Sequence, residues 1–216
     1  MDKAIKQQVA AYLRQRDYGE LLDLCEKDRR FWTALRLCLY ETEVSLYWPA
    51  IEAVATLMER WWQAGQEEKV REYIRNLLWL LNDESGGIGW NAPQAIAEII
   101  MRIPQLLEPY SNIMISHILE EPLLIKNGLW GIGRLGKRIR EAVNLHQDAV
   151  LNSFKSDDSE TLGVAAWAMG ETGFAPALPS LELLKDRKEP VCIYIEGSFH
   201  RKPLGVWARD AIIKIK

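Results

Sequence analysis

A short pattern recurs along this chain and constrains its fold more than any other feature: small, aliphatic, small or aliphatic, charged, then mostly aliphatic. Its copies lie at 95–99, 131–136, 168–173 and 211–215, and a weaker copy lies at 53–57. A period near 37 residues is typical of stacked helix pairs joined by turns. Small side chains at helical spacing also predict a seam where neighbouring helices approach closely. We therefore predict an all-α fold, a superhelix or solenoid of helical repeats.

The copy at 168–173 shows how one repeat is built. The run 156–159 offers N-cap side chains before a predicted helix over 161–172, and Gly173 is well placed to end that helix. Pro176 can open the next helix, and leucines at helical spacing follow over 177–185. The stretch therefore predicts two helices and a turn, as the period requires.

The stretch VAAWAMGETGFAPALPSLELLKD, residues 164–186, resembles the HEAT-like repeat of the phycobilisome-lyase type. The resemblance lies in the alanine-rich first helix, the Gly-x-x-Gly ending, the Ala-Leu-Pro start of the second helix and the Leu-Leu-x-Asp close. The segment 82–90 is also similar to one in uncharacterised prokaryotic HEAT-repeat proteins. The resemblance implies an α-solenoid and no particular reaction.

We expect residues 1–216 to form a single α-solenoid domain. Apolar residues keep helical spacing through 1–81, where the repeat is weak, so this part is predicted to hold divergent N-terminal helices or a cap. Residues 88–216 carry the HEAT-like repeats. A chain with 48% hydrophobic and 26% charged residues has enough apolar surface to build a globular core.

Composition also restricts the cellular compartment and the classes of partner that we expect for this protein. Three cysteines without a CxxC pair predict free thiols in a reducing compartment. The N-terminus lacks the apolar region of a signal peptide, and the apolar runs are too short to span a membrane, so we expect a cytoplasmic protein. A net charge of -3 argues against nucleic acid as the partner.

The repeat is interrupted first over 82–93, where three glycines fall within four residues. Glycines let a backbone approach a ligand closely, and N–H groups before a helix favour anions. Two acidic residues in the same segment would instead attract a cation or a basic partner. The alternative is a structural turn in which Trp90 is buried between repeats. The candidate binding residues are Asp83, Glu84, Ser85, Gly86, Gly87, Gly89, Trp90 and Asn91.

The second interruption predicts a small β-hairpin near 191–202. A β-branched and aromatic run over 191–195 is followed by Glu196-Gly197 and an alternating run over 198–202. Glu-Gly is a weaker turn than Asn-Gly, so a bulged turn is an alternative. A lone hairpin needs cover from the helices or a partner, and an exposed edge could accept a partner strand. The candidate contacts are Tyr194 and Phe199.

Some motifs suggest a catalytic or ligand-binding site, but the sequence around them does not support that interpretation. The segment 131–136 fits GxGxxG, but it aligns with the end of a repeat helix, whereas a dinucleotide site requires a preceding strand. The three histidines are scattered, and no GxSxG motif is present. We therefore predict no catalytic residues, no metal and no cofactor. The basic cluster 134–140 is either a solvated turn or a contact for an acidic partner or phosphate, which makes Arg134 a further candidate.

These observations favour a non-catalytic scaffold or adaptor whose partner is another protein. The resemblance implies an alternative, a lyase-type or chaperone-like protein that handles a cofactor or chromophore.

Overall fold

The computed structural model describes residues 2–82 and 89–216. This part is mostly helical, and its hairpin spans the predicted place near 191–202, so both predictions are confirmed. The helices are α1 Lys3–Gln15, α2 Tyr18–Lys27, α3 Arg29–Leu37, α4 Val44–Gln63, α5 Glu67–Trp79, α6 Ala92–Arg102, α7 Leu107–Glu120, α8 Ile125–Leu135, α9 Arg140–Leu145, α10 Gln147–Asn152, α11 Ser159–Thr172, α12 Leu178–Leu184 and α13 Leu204–Ile215. The strands, β1 Pro190–Ile195 and β2 Ser198–Pro203, lie between α12 and α13.

The chain divides into two compact units, Met1–Gln105 and Leu106–Lys216. In the first unit, α4 is the central helix and packs against α1, α3, α5 and α6. In the second unit, α11 packs against both α8 and α13. The single domain expected for residues 1–216 remains a prediction.

The small-residue copies lie in helices that pack on one another, or reach one residue past the helix end: α4 and α6 in the first unit, and α8, α11 and α13 in the second. A Cβ atom on Gly133 would lie 2.5 Å from the Trp167 ring, and one on Gly170 would lie 2.8 Å from the Cα of Ala211. Real Cβ atoms do not approach that closely, so each glycine sets the distance to the next repeat. The predicted seam is therefore present.

Helix α11 begins and ends as its flanking residues predict. Asp158 is the N-cap and accepts hydrogen bonds from the main-chain N–H groups of Glu160 and Thr161, at 3.3 and 3.0 Å. Gly173 follows the helix with φ 67° and ψ 38°, the left-handed conformation that glycine adopts at little cost.

The cysteines are free thiols, as the composition predicts. Burial raises the pKa of Cys25 to about 12 and that of Cys38 to about 11. Cys192 is only partly buried, and burial raises its pKa as well. All three thiols therefore stay protonated near neutral pH, the form that reacts poorly.

Across residues 2–82 and 89–216, no helix is both long and apolar enough to cross a membrane. The same part of the chain holds no group of three or more His, Cys, Asp or Glu residues arranged as metal ligands.

Candidate functional site

The candidates in the first interruption fall partly outside the described residues, since these exclude Asp83, Glu84, Ser85, Gly86 and Gly87. Gly89 donates its N–H to the carbonyl of Leu80 at 2.9 Å, and a Cβ on Gly89 would lie 2.9 Å from the Leu80 Cβ. The buried Asn91 donates from its side-chain amide to the carbonyl of Leu39 at 2.8 Å. Gly89 and Asn91 therefore hold the chain in place before α6. 

Trp90 lies on the surface of the first unit. Its side chain is 50% exposed, so the alternative in which it is buried between repeats is wrong.

The basic cluster 134–140 is split between structural and surface roles. Arg134 is half-buried in the last turn of α8, and the Nε of Arg140 donates to the carbonyl of Thr172 at 2.9 Å. Lys137 and Arg138 are exposed beside a cleft that Glu108 and Glu141 also line, so the surface there has mixed charge. The GxGxxG segment lies in α8 and in the 3-10 turn that follows it, which is not the loop between a strand and a helix that holds a dinucleotide.

The hairpin closes through a tight two-residue turn. Glu196 and Gly197 have φ of 48° and 82°, and two positive values in succession define a type I′ turn. Pairing then runs without interruption from Ile195 with Ser198 to Pro190 with Pro203. The bulged alternative is therefore excluded.

The outer edge of β1 is covered by helix side chains. In an antiparallel pair, every second residue turns its main-chain N–H and C=O groups away from the other strand. On β1 these residues include Cys192, whose N–H donates to the Glu160 carboxylate at 3.4 Å, and Tyr194, whose carbonyl accepts from the Trp130 indole at 2.6 Å. The β1 edge has no room for another strand.

The outer edge of β2 is open. Register places the outward-facing main-chain groups on Phe199 and Arg201, opposite Tyr194 and Cys192. In the described part of the chain, no residue makes a hydrogen bond to these groups, and most of β2 is exposed. The Phe199 side chain is 50% exposed and meets the buried Tyr194 ring edge to face, with centroids 4.9 Å apart. We define the unpaired edge at Phe199 and Arg201 as the β2 edge.

Positive charge lies along the β2 edge. Lys202 is neutralised by Asp210, with its Nζ 2.8 Å from the carboxylate, and lies over the Trp207 ring. Arg201 is exposed and forms no ion pair with any residue of the described ranges. The free cation of this strand is therefore the guanidinium of Arg201.

Comparison with known proteins identifies the fold. No family model matches the sequence. An uncharacterised protein of Archaeoglobus fulgidus is 36% identical over 75 residues, which cover 35% of this chain and 41% of that protein. A designed armadillo repeat protein in complex with the peptide (KR)4 matches 99% of this chain and 98% of its own, with a TM-score of 0.58 and 18% identity. Computationally designed armadillo repeat proteins for modular peptide recognition match with a TM-score of 0.54, 19% identity and coverage of 100% and 95%. 

This chain has an armadillo-like repeat fold.

Within the armadillo-like fold, the predicted candidates Tyr194 and Phe199 lie opposite each other in the hairpin, whereas the helix residues that contact the β1 edge were not predicted. Trp130 and Glu160, which cover β1, lie 64 and 32 residues away along the chain. Arg201 could have been found, because a residue two positions from Phe199 on the same strand faces the same way.

Proposed function

We propose that this armadillo-like protein is a non-catalytic interaction scaffold or adaptor. Its partner would be another protein that adds an extended acidic segment to the β2 edge. The observation that carries the proposal is the contrast between the two edges of the hairpin: helix side chains cover β1, whereas Phe199 and Arg201 keep unpaired main-chain groups.

Rigid support for the hairpin favours this role. The Trp130 indole donates to Tyr194 and the Trp207 indole donates to Val191, so two helices hold β1. Gly163 lets α11 approach β1 so closely that a Cβ there would lie 2.4 Å from Val191. A strand held in its binding conformation loses little entropy when a partner strand pairs with it.

The charge of the edge selects the partner's chemistry. An added strand would place one side chain beside Arg201 and another, two residues away, beside Phe199. An acidic residue and an apolar residue fit those positions. Pairing with a second copy of β2 would instead bring like charges together, which is unfavourable. The similar designed protein binds the basic peptide (KR)4, whereas this edge favours the opposite charge.

Hydrogen exchange tests strand addition directly. The probe is an eight-residue peptide of alternating Glu and Val, added to the full chain and followed by amide NMR. We expect the exposed amides of Phe199 and Arg201 to exchange more slowly with peptide. The amide of His200 already pairs with Ile193 and should change little. A peptide N-methylated on the amides that face β2 should not bind.

Charge reversal supplies the matched control. Arg201→Glu should weaken binding of the acidic peptide by about tenfold, because it replaces an attractive pair with a repulsive one. Lys155→Glu makes the same charge change at an exposed position of the same unit and should leave binding unchanged. If the amides of Phe199 and Arg201 exchange at the same rate with and without saturating peptide, the proposal is rejected. In that case the charged side chains of β2 keep its edge unpaired.

The phycobilisome-lyase resemblance of residues 164–186 supports a second candidate, a lyase-type or chaperone-like protein that handles a chromophore. In that case the full chain should change the absorption spectrum of an added bilin, with saturation at one ligand per chain. An unchanged spectrum would remove this candidate and leave the scaffold proposal intact.

A cytoplasmic location suits either function. Free thiols whose ionisation is suppressed by burial are compatible with a reducing compartment, which supports this part of the proposal.

A further inference from the structure

A cavity of about 210 Å³ lies in the first unit, between α3, the 3-10 turn after it, and α5. Its lining combines leucine side chains with residues that carry hydroxyl, amide and guanidinium groups. The lining residues are Thr33, Arg36, Leu37, Leu39, Tyr40, Tyr73, Asn76, Leu77 and Leu80. Tyr40 and Leu37, which are 49% and 40% exposed, lie where the cavity meets solvent.

Arg36 brings an unsatisfied cation to this cavity. Its guanidinium carbon lies 5.3 Å from the centroid of the Trp32 ring, and its buried Nε has no hydrogen-bond partner. In residues 2–82 and 89–216, no carboxylate pairs with it, and none lines the cavity. Stacking occupies the face of a guanidinium and leaves the N–H donors at its edge free to hold a carboxylate with two parallel bonds.

Aromatic side chains surround Arg36. Trp32 meets the Trp61 ring edge to face at 5.4 Å and packs against Tyr73 at 5.2 Å. Burial raises the pKa of Tyr73, so its phenol is neutral near neutral pH. A buried donor without a partner destabilises the folded chain, and a charge-assisted bond to a ligand would recover this cost.

We propose that this cavity binds a small carboxylate with an apolar body. The carboxylate would lie against the edge of the Arg36 guanidinium, with Asn76 as a second donor. The apolar body would rest on Leu77, Leu80 and Tyr73. The cavity is smaller than the roughly 300–1,000 Å³ of typical cofactor sites and larger than the roughly 150 Å³ that holds benzene. It therefore suits one aromatic ring or branched aliphatic group.

Ligand-detected and amide NMR on the full chain provide the test, with 3-phenylpropionate as the probe and 3-phenylpropionamide as its neutral match. We expect saturable shifts at the Trp32 indole, Tyr40 and Tyr73 with the acid, and affinity at least about tenfold weaker for the amide. Two further arms use acetyl-Gly-Gly-Phe with a free or an amidated C-terminus. If the free peptide acid binds more tightly than 3-phenylpropionate, the source of the carboxylate is a polypeptide C-terminus. If 3-phenylpropionate binds more tightly than the peptide acid, the source is a free small-molecule acid.

Substitutions at Arg36 separate charge from shape. Arg36→Met should abolish the preference for acid over amide, and Arg36→Lys should keep part of it, since a lysine retains the charge without the paired donors. Arg71→Met is the matched control, because Arg71 lies over Trp62 at 5.0 Å in the same unit but does not line the cavity. Equal binding of acid and amide by the unmodified chain, or no binding of either, would overturn the proposal even if the Arg36 variants failed to fold.

Discussion

Asp158 shows how much one side chain can contribute to a repeat. Burial alone would raise its pKa, but hydrogen bonds from the Thr161 side chain and from the main chain of Thr161 and Glu160 outweigh that effect and hold the pKa below its usual range. A group whose pKa is lower in the folded state stabilises the fold above its unfolded pKa, about 3.9 for aspartate. That stabilisation is lost as pH falls through the folded pKa.

Asp158→Ala should therefore lower the free energy of unfolding by about 1 kcal/mol near neutral pH, because the first turn of α11 loses its cap. The difference from the unmodified chain should shrink as pH falls below about 4. Urea denaturation followed by tryptophan fluorescence measures both. Asp157→Ala removes a neighbouring carboxylate that makes no capping bond and should have little effect. If Asp158→Ala lowers the free energy of unfolding by the same amount at every pH, Asp158 does not act as a charged N-cap.

Single residues were predictable where their role is local. The run 156–159 predicts a cap because capping depends on residues close in sequence, and Asp158 fills that role. Arg36 was not predicted, although Trp32 and Arg36 are four residues apart and share a helix face. The cavity that gives Arg36 its significance depends on α5, which the sequence of α3 does not reveal.

At the scale of elements, the seam between α11 and α13 makes a sharp prediction. Gly170→Ala should destabilise the fold by about 1–3 kcal/mol, because the new methyl group would meet the main chain of Ala211. Gly19→Ala in α2 is the control. A Cβ there has no neighbour closer than 3.9 Å, so the change should be neutral or slightly stabilising. Thermal unfolding monitored by circular dichroism would measure the stability of both variants. Equal effects of Gly170→Ala and Gly19→Ala would refute the prediction.

Elements were predictable in kind and place, but their surroundings were not. The β-branched run over 191–195 and its turn predict the hairpin, since strand propensity and turn chemistry are local. The covered edge of β1 depends on Trp130, which is brought to Tyr194 by the packing of distant helices. Segment 83–88, where the first interruption placed five of its candidates, lies outside the described residues, so those candidates remain predictions.

At the scale of the whole molecule, the single domain expected for residues 1–216 can be tested by unfolding. Helical repeats bury little apolar surface alone and gain stability from neighbours, so we expect one cooperative transition. Leu22→Ala, at a fully buried position in the first unit, and Gly170→Ala in the second should each shift that same transition. Two transitions, each shifted by only one of the variants, would instead show that the two compact units unfold independently.

The whole fold was predictable because the repeat copies report on the close packing of successive helices, which Gly133 and Gly170 make possible. Function was harder to predict from the sequence than the fold, because a repeat fold supports many binding roles and only specific surfaces distinguish them. For this chain, the surfaces that we propose for such a role are the β2 edge and the cavity at Arg36.

The base of the hairpin has a consequence for the two helices on either side of it. The carbonyl of Glu189 accepts a hydrogen bond from Leu204 at 2.8 Å, so the chain leaves the helical array and returns to it at nearly the same point. Helices α12 and α13 pack directly on each other beside this point. A change in the length of the hairpin at its Glu196-Gly197 turn would therefore leave the packing of α12 on α13 and the spacing of the repeats in place.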